Sequence, residues 1–223
     1  MNLTLFDLDG TLLPTDSDHA FGEYLVQIGW ADAEVHRRRN DAFYADYLAG
    51  RLEMADYVEF ATSPWRGRPE AELSAVMSSF LAEVARPVLH PSALALVQQH
   101  RDAGDLIAIV TATNEFVTRP IAALFGIHQL IATELERDAD GRVTGAIRGV
   151  PAFREGKIAR VAAWLAGQGR ALADFERCTF YSDSTNDLPL LEHVSHPVAT
   201  NPVPALAAIA AQRGWPVLRL FDR

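Results

Sequence analysis

Apolar and polar positions fall into two regimes along the chain. LTLF (3–6) is a short apolar run that reads as a strand and stops at Asp7. From Pro14 to Arg86 the apolar residues recur three to four apart, in DHAFGEYLVQIGW, ADAEVHRRRNDAFYADYLAG, MADYVEFAT and PEAELSAVMSSFLAEVA. That period is the helical one. Gly29, Gly50 and the SPWRGRP run break it into four predicted helices.

After RPVLHP (86–91) helix and strand patterns alternate. SALALVQQHRDAG is a helix ending at Gly104, and LIAIVT (106–111) is an unbroken apolar strand of the kind buried in parallel sheets. EFVTRPIAALFGI is a helix in which Pro120 has to lie in the first turn or impose a kink. QLIAT (129–133) is a strand, and LERDADGRVTGAIRG is a hairpin turning at Asp140-Gly141. The rest reads as helix GKIARVAAWLAGQG, strand and exit loop CTFYSDS (178–184), short helix NDLPLLEHV, strand HPVAT, helix PALAAIAAQRG and strand WPVLRL. A βα alternation interrupted once predicts an α/β fold: a Rossmann-like, doubly wound parallel sheet carrying an inserted all-helical domain. The boundaries implied are 1–13 and 87–223 for the core and 14–86 for the insertion.

Composition narrows the function. The 223 residues are 49% hydrophobic and 22% charged, as expected of a globular chain with a sizeable core. The net charge of −9 makes general binding of nucleic acid or an anionic membrane unfavourable, and any anionic substrate must meet local cations. The one cysteine, Cys178, sits in the apolar-flanked run CTFYS and reads as a buried structural residue. No intrachain disulfide is possible, which fits the cytoplasm. Neither a signal peptide nor a membrane span is expected from the pattern.

Two aspartates, Asp7 and Asp9, stand at the end of the first strand, although aspartate is disfavoured in strands and costly to bury unpaired. Ligands of doubly wound sheets sit beyond the carboxyl ends of the strands. Those ends carry Asp7 and Asp9, then Thr111, then Asp183 and Asp187, with Lys157 at a helix start. Carboxylates packed together repel and raise each other's pKa, so a cation has to hold them. A hard divalent ion with oxygen ligands, such as Mg²⁺, suits that set.

These residues resemble the four motifs of the haloacid dehalogenase superfamily. DLDGTLL resembles the first, TAT with Thr111 the second, Lys157 the third, and SDSTND with Asp183 and Asp187 the fourth. The helical insertion after the first motif resembles the cap of the phosphoserine-phosphatase-like branch. The run from LHPSALALV through TELE to AFREGKIARV is similar to that branch too, particularly to its histidinol-phosphatase-like group.

The resemblance implies a Mg²⁺-dependent phosphatase acting on a small phosphorylated metabolite through an aspartyl phosphate, as a monomer or homodimer. Asp7 would attack phosphorus. Asp9 would protonate the leaving oxygen and then activate water, with Leu8 between them in the core, Gly10 in the turn and Thr11 as a cap or loop hydroxyl. The metal would be bound by Asp7, the Asp9 carbonyl and Asp183, with Asp187 acting through water. Thr111, Lys157 and main-chain N–H groups after Asp7 and Thr111, that of Ala112 included, would hold the phosphoryl oxygens.

Asn186 would approach the substrate, with helix capping as its other reading. Asp16 would bind a substrate amine, or act as an N-cap. Arg51 is the loosely aligned candidate for a substrate carboxylate. Phosphoserine and histidinol phosphate are the substrates this suggests. A phosphotransferase or mutase would share the first motif, and a non-catalytic member would bind phosphorylated ligands only. Elsewhere, His193 and His196 read as a surface pair, and the arginines of HRRRN (36–40) as a solvated face. Phe43, Tyr44, Tyr47, Tyr57 and Phe60 read as the apolar core of the cap.

Overall fold

The computed structural model describes residues 1–221. In chain order its elements are β1 (Leu3–Phe6), α1 (Ser17–Gln27), α2 (Ala33–Leu48), α3 (Met54–Thr62), α4 (Glu70–Phe80), α5 (Pro91–Asp102), β2 (Leu106–Asn114) and α6 (Glu115–Leu124). There follow β3 (Leu130–Thr133), β4 (Leu135–Arg137), β5 (Val143–Ile147), α7 (Glu155–Ala166), β6 (Cys178–Ser182), α8 (Leu188–His193), β7 (His196–Thr200), α9 (Pro204–Arg213) and β8 (Val217–Leu218).

Six strands form one sheet in the order β3-β2-β1-β6-β7-β8, with every neighbouring pair parallel. Alternation along β1 explains the layering. Leu3 and Leu5 face one side with Ala108, Val110 and Phe180, under Val161 and Leu165 of α7, Leu190 of α8 and Leu206 of α9. Phe6 faces the other side with Ile109 and Tyr181, against Val97 of α5 and Ile121 of α6. The same apolar cluster continues into the insertion through Phe21, Trp65 and Phe80, so helices α1–α4 pack onto the sheet side without a separate core. The β4–β5 hairpin closes on α3, where Arg66 donates to the Thr144 carbonyl at 3.3 Å. Among the described residues no single helix is long and apolar enough to cross a membrane.

Three details depart from the pattern. β2 does not end at Thr111 but runs on to Asn114, with its register against β3 shifting between Val110 and Asn114. The extended backbone outlasts the apolar run there. Pro120 sits in the second turn of α6, and the helix continues to Leu124. The last strand is shorter than WPVLRL, only Val217–Leu218.

Candidate active site

The site lies at the carboxyl ends of β1, β2 and β6. Just past β1, the Leu8 carbonyl collects the N–H groups of Thr11, Leu12 and Leu13 at 3.2, 2.9 and 2.9 Å. This tight loop buries Leu8 and leaves Asp7 and Asp9 on the open side, with Gly10 at φ +74° where a side chain would be strained. Asn201 pins the loop from the core, donating to the Gly10 and Thr11 carbonyls at 3.1 and 3.0 Å.

Lys157, in the first turn of α7, is the hub of the charges. Its Nζ lies 2.9 Å from Asp7 Oδ1 and 2.7 and 2.8 Å from the two oxygens of Asp187. Asp187 also accepts from Ser182 Oγ at 2.7 Å. Thr11 Oγ1 stands 3.3 Å from both Asp7 Oδ2 and Asp183 Oδ1, and its single proton serves one of them at a time. Asp9 accepts from the Ser17 N–H at 2.8 Å and from Thr113 Oγ1 at 3.0 Å. The Thr111 hydroxyl accepts from the Thr113 N–H at 3.2 Å.

Burial pushes the Asp7 carboxyl up, Lys157 opposes it, and Asp187 and Asp183 push it further up. Burial, then the Asp16 charge, raise Asp9 to about 7, so it can hold a proton near neutrality. Lys157 would be lowered by burial, but Asp187 and Asp7 outweigh that and hold it above the ordinary lysine value.

Two buried carboxylates, Asp7 and Asp187, thus share one ammonium, and a third, Asp183, is buried beside the Thr11 hydroxyl that Asp7 also meets. The excess negative charge and the shared Thr11 hydroxyl fit a hard divalent cation between Asp7 and Asp183. Among the described residues no three His, Cys, Asp or Glu side chains group as a self-sufficient metal cage. A cation beside Asp7 and Asp183 would complete its shell with main-chain, water and substrate oxygens, as Mg²⁺ commonly does. Both oxygens of Asp187 are engaged by Lys157 and Ser182, which leaves it an indirect part in any such site.

The insertion roofs this floor. Asp7, Asp9, Thr111, Ala112 and Thr113 share one cavity with Asp16, His19, Phe43, Tyr44, Tyr47 and Tyr57. Asp16 caps α1, accepting from the N–H groups of Asp18 and His19 at 3.0 and 2.8 Å, and it also lines the cavity. Burial brings both Asp16 and Asp18 to about 6. Asp18 is buried, accepting from Tyr57 Oη at 2.8 Å and Asn114 Nδ2 at 3.3 Å.

The sequence-derived candidates Asp7, Asp9, Asp16, Thr111, Ala112, Lys157, Asp183 and Asp187 are thus brought to one place. Asn186 is buried beside them, but its side chain donates to the Tyr47 carbonyl at 2.8 Å, tying core to insertion. Arg51 is not brought to the cavity: it follows the end of α2, is exposed and pairs with Asp46 at 2.9 Å. Four of the five aromatics assigned to the cap core, Phe43, Tyr44, Tyr47 and Tyr57, also line the cavity, and Phe43, Tyr47 and Tyr57 pack against the apolar core as well. Arg37 pairs with Glu23 and Arg39 lies over the Phe60 ring, away from the site.

Sequence reasoning missed Thr113, Asp18 and Arg154. Thr113 lies two residues after Thr111, on the same face once the strand is extended. Asp18 sits in the capping run DSD, which hides its contact with Tyr57.

Residues 4–192 match the family model of haloacid dehalogenase-like hydrolases. The chain is 45% identical over 97% of its length, and 98% of the relative's, to a histidinol-phosphatase of Neisseria meningitidis serogroup C. It superposes with a TM-score of 0.93 and 50% identity on a protein of unknown function from Bordetella pertussis, covering 99% of each chain. A substrate-bound phosphoserine phosphatase has the same fold, with TM-score 0.68 and 16% identity over 97% of this chain and 91% of that one.

Proposed function

Since this chain belongs to the haloacid dehalogenase-like hydrolase family, we propose that it hydrolyses a small phosphomonoester through a phosphoryl group carried on Asp7. The observation that carries this reading is the Lys157 ammonium, held between Asp7 and Asp187 at the carboxyl end of the sheet. Asp7 Oδ2, turned towards Thr11 and Asp183, attacks phosphorus in line with the leaving oxygen. Lys157 and the hydroxyl and N–H groups around Thr111 take up the charge on the phosphoryl oxygens as it transfers. Asp9, held by Ser17 and Thr113, gives its proton to the leaving oxygen and later takes one from the attacking water. Mg²⁺, held by Asp7, the Asp9 carbonyl and Asp183 with Asp187 behind them, would neutralise the phosphate and draw it towards Asp7.

Residues 14–86 act as the cap, which excludes water while the phosphoryl group is on Asp7. Its aromatic walls and the Asp16 carboxylate among them suit a flat or apolar substrate body bearing a cation. Histidinol phosphate has that character, and the Neisseria relative's name points the same way. The test is phosphate release from a panel of esters, histidinol phosphate and phosphoserine included, with Mg²⁺ and with EDTA, for wild type and Asp7→Asn. Mg²⁺-dependent release lost in Asp7→Asn supports the reading. Absence of release from every ester, an activated aryl phosphate included, sinks it.

A further inference from the structure

α2 ends at Leu48 with Ala49 as its C-cap, and no basic residue lies in its last turn. The last carbonyls of a helix need partners from elsewhere, and the negative end of its dipole favours a cation. Asn186 meets the first need at a carbonyl of the last turn, and Arg154 brings a cation to the turn just past the helix end. Asn186 Nδ2 donates to the Tyr47 carbonyl at 2.8 Å, and the Arg154 guanidinium donates to the Gly50 carbonyl. Gly50 has φ +69°, and a Cβ there would run into that guanidinium. The seam so formed is lined by Leu48, Ala49 and Gly50 on the insertion and by Arg154, Glu155 and Asn186 on the core.

Both donors are chain neighbours of the reacting machinery. Asn186 precedes Asp187. Arg154 is the N-cap of α7, and its carbonyl accepts the Lys157 N–H at 3.0 Å. Its φ of +52° is uncommon for a residue with a side chain and persists where surrounding contacts enforce it. The guanidinium also lies 5.1 Å from the centroid of the Phe153 ring, and that ring tilts against Tyr47 at 6.1 Å. So one residue starts the helix that carries Lys157 with its main chain and grips the insertion with its side chain.

We propose that Arg154 is a positioning residue for the phosphoryl transfer described above, a reading on which this inference rests: by capping α2 from the core side, it couples the seating of the insertion to the first turn of α7 and so to Lys157. Arg154 is not among the residues that line the cavity over Asp7 and Asp9, so it meets the reaction through Lys157 and not through substrate. The defect of a broken contact therefore falls on kcat rather than KM.

The test compares Arg154→Ala, Arg154→Lys, Gly50→Ala and the Arg154→Ala/Gly50→Ala double variant. It reads kcat and KM for p-nitrophenyl phosphate, and backbone hydrogen exchange in residues 47–51 and in α7. Loss of one charge-assisted hydrogen bond in Arg154→Ala is expected to lower kcat by about tenfold with KM little changed. Exchange should quicken in both segments, Arg154→Lys should recover most of kcat, and the double variant should be no worse than the worse single one. A raised KM with unchanged kcat would mean that the guanidinium holds substrate, and additive losses would mean two unrelated contacts; either overturns the proposal. If no form, wild type included, turns over any ester, the phosphatase reading falls. The exchange arm then still decides the coupling, which unchanged exchange of α7 in Arg154→Ala contradicts.

Discussion

Lys157 Nζ lies 2.9 Å from Asp7 Oδ1, with both side chains closed to solvent. The same nitrogen is shared with Asp187, so one ammonium joins the ends of β1 and β6 from the start of α7. Burial alone would favour its neutral form, and the two carboxylates reverse that preference. The site is thus pre-assembled around a cation from the chain itself.

Removing that cation should be felt in stability as well as activity. Lys157→Met leaves Asp7 and Asp187 buried without their partner. Breaking a buried pair from one side costs about 3–5 kcal/mol, to be read from the urea midpoint, and phosphate release should vanish. Lys157→Arg should not restore activity, because a planar fork cannot replace a compact ammonium between two carboxylates. Near wild-type stability in Lys157→Met would contradict the hub role.

Asp9 should matter in proportion to how badly the leaving group needs a proton. It is raised to about 7 by burial and by Asp16, and its oxygens are turned to Ser17 and Thr113. Asp9→Asn should lower kcat on an alkyl phosphate by about 10²–10⁴-fold. The loss on p-nitrophenyl phosphate should be far smaller, since nitrophenolate leaves without help. Equal losses on both esters would remove Asp9 from the acid role.

Asp16 should separate substrates by charge. It faces the cavity while capping α1, and Asn is an equally good cap. Asp16→Asn should therefore keep the fold while raising KM for an amine-bearing ester by about tenfold, the order of one charge-assisted hydrogen bond. KM for an aryl phosphate without an amine should stay put. A uniform change in both would place Asp16 outside substrate recognition.

At the amino ends of β1 and β2, Asp105 offers a pH-dependent control. It accepts from Asn2 and Thr4 at 3.0 Å each and lies 2.7 Å from His100 Nδ1. Burial would raise its carboxyl, but the hydrogen bonds of His100, Asn2 and Thr4 outweigh it and hold it below its usual value. A folded-state pKa that is lowered contributes stability above the ordinary aspartate value, ~3.9, and loses it as pH falls through the lowered one. Asp105→Asn should lower the urea midpoint at pH 7, and the gap from wild type should close in that acid window. Turnover should be unaffected. A gap that persists unchanged below the ordinary value would deny the linkage.

The alternation of strand and helix patterns located the sheet, the helices between its first two strands and the residues Asp7 and Asp183 just past β1 and β6, because those depend on period and order alone. Side-chain direction at element ends does not. Arg51 follows a helix terminus, where the chain turns and periodicity no longer assigns a face, and it points to Asp46. The aromatics of α2 and α3 satisfy the apolar pattern of a core equally well when they wall a cavity, as Tyr47 and Tyr57 do. Thr113 was hidden because polar TATN interrupts the apolar run, although the backbone stays extended to Asn114. Arg154 has no local signal, since its partner Gly50 is remote in sequence and its backbone angle comes from tertiary contacts.

The central claim is that Asp7 carries the phosphoryl group. It is tested most directly by quenching the enzyme in acid during Mg²⁺-supported turnover of an aryl phosphate and mapping the phosphoryl adduct by mass spectrometry. Expected is an adduct on Asp7 within the peptide containing FDLDGT, absent when Mg²⁺ is withheld and absent, along with turnover, in Asp7→Asn. Sustained turnover by Asp7→Asn, or an adduct on another residue, would contradict it.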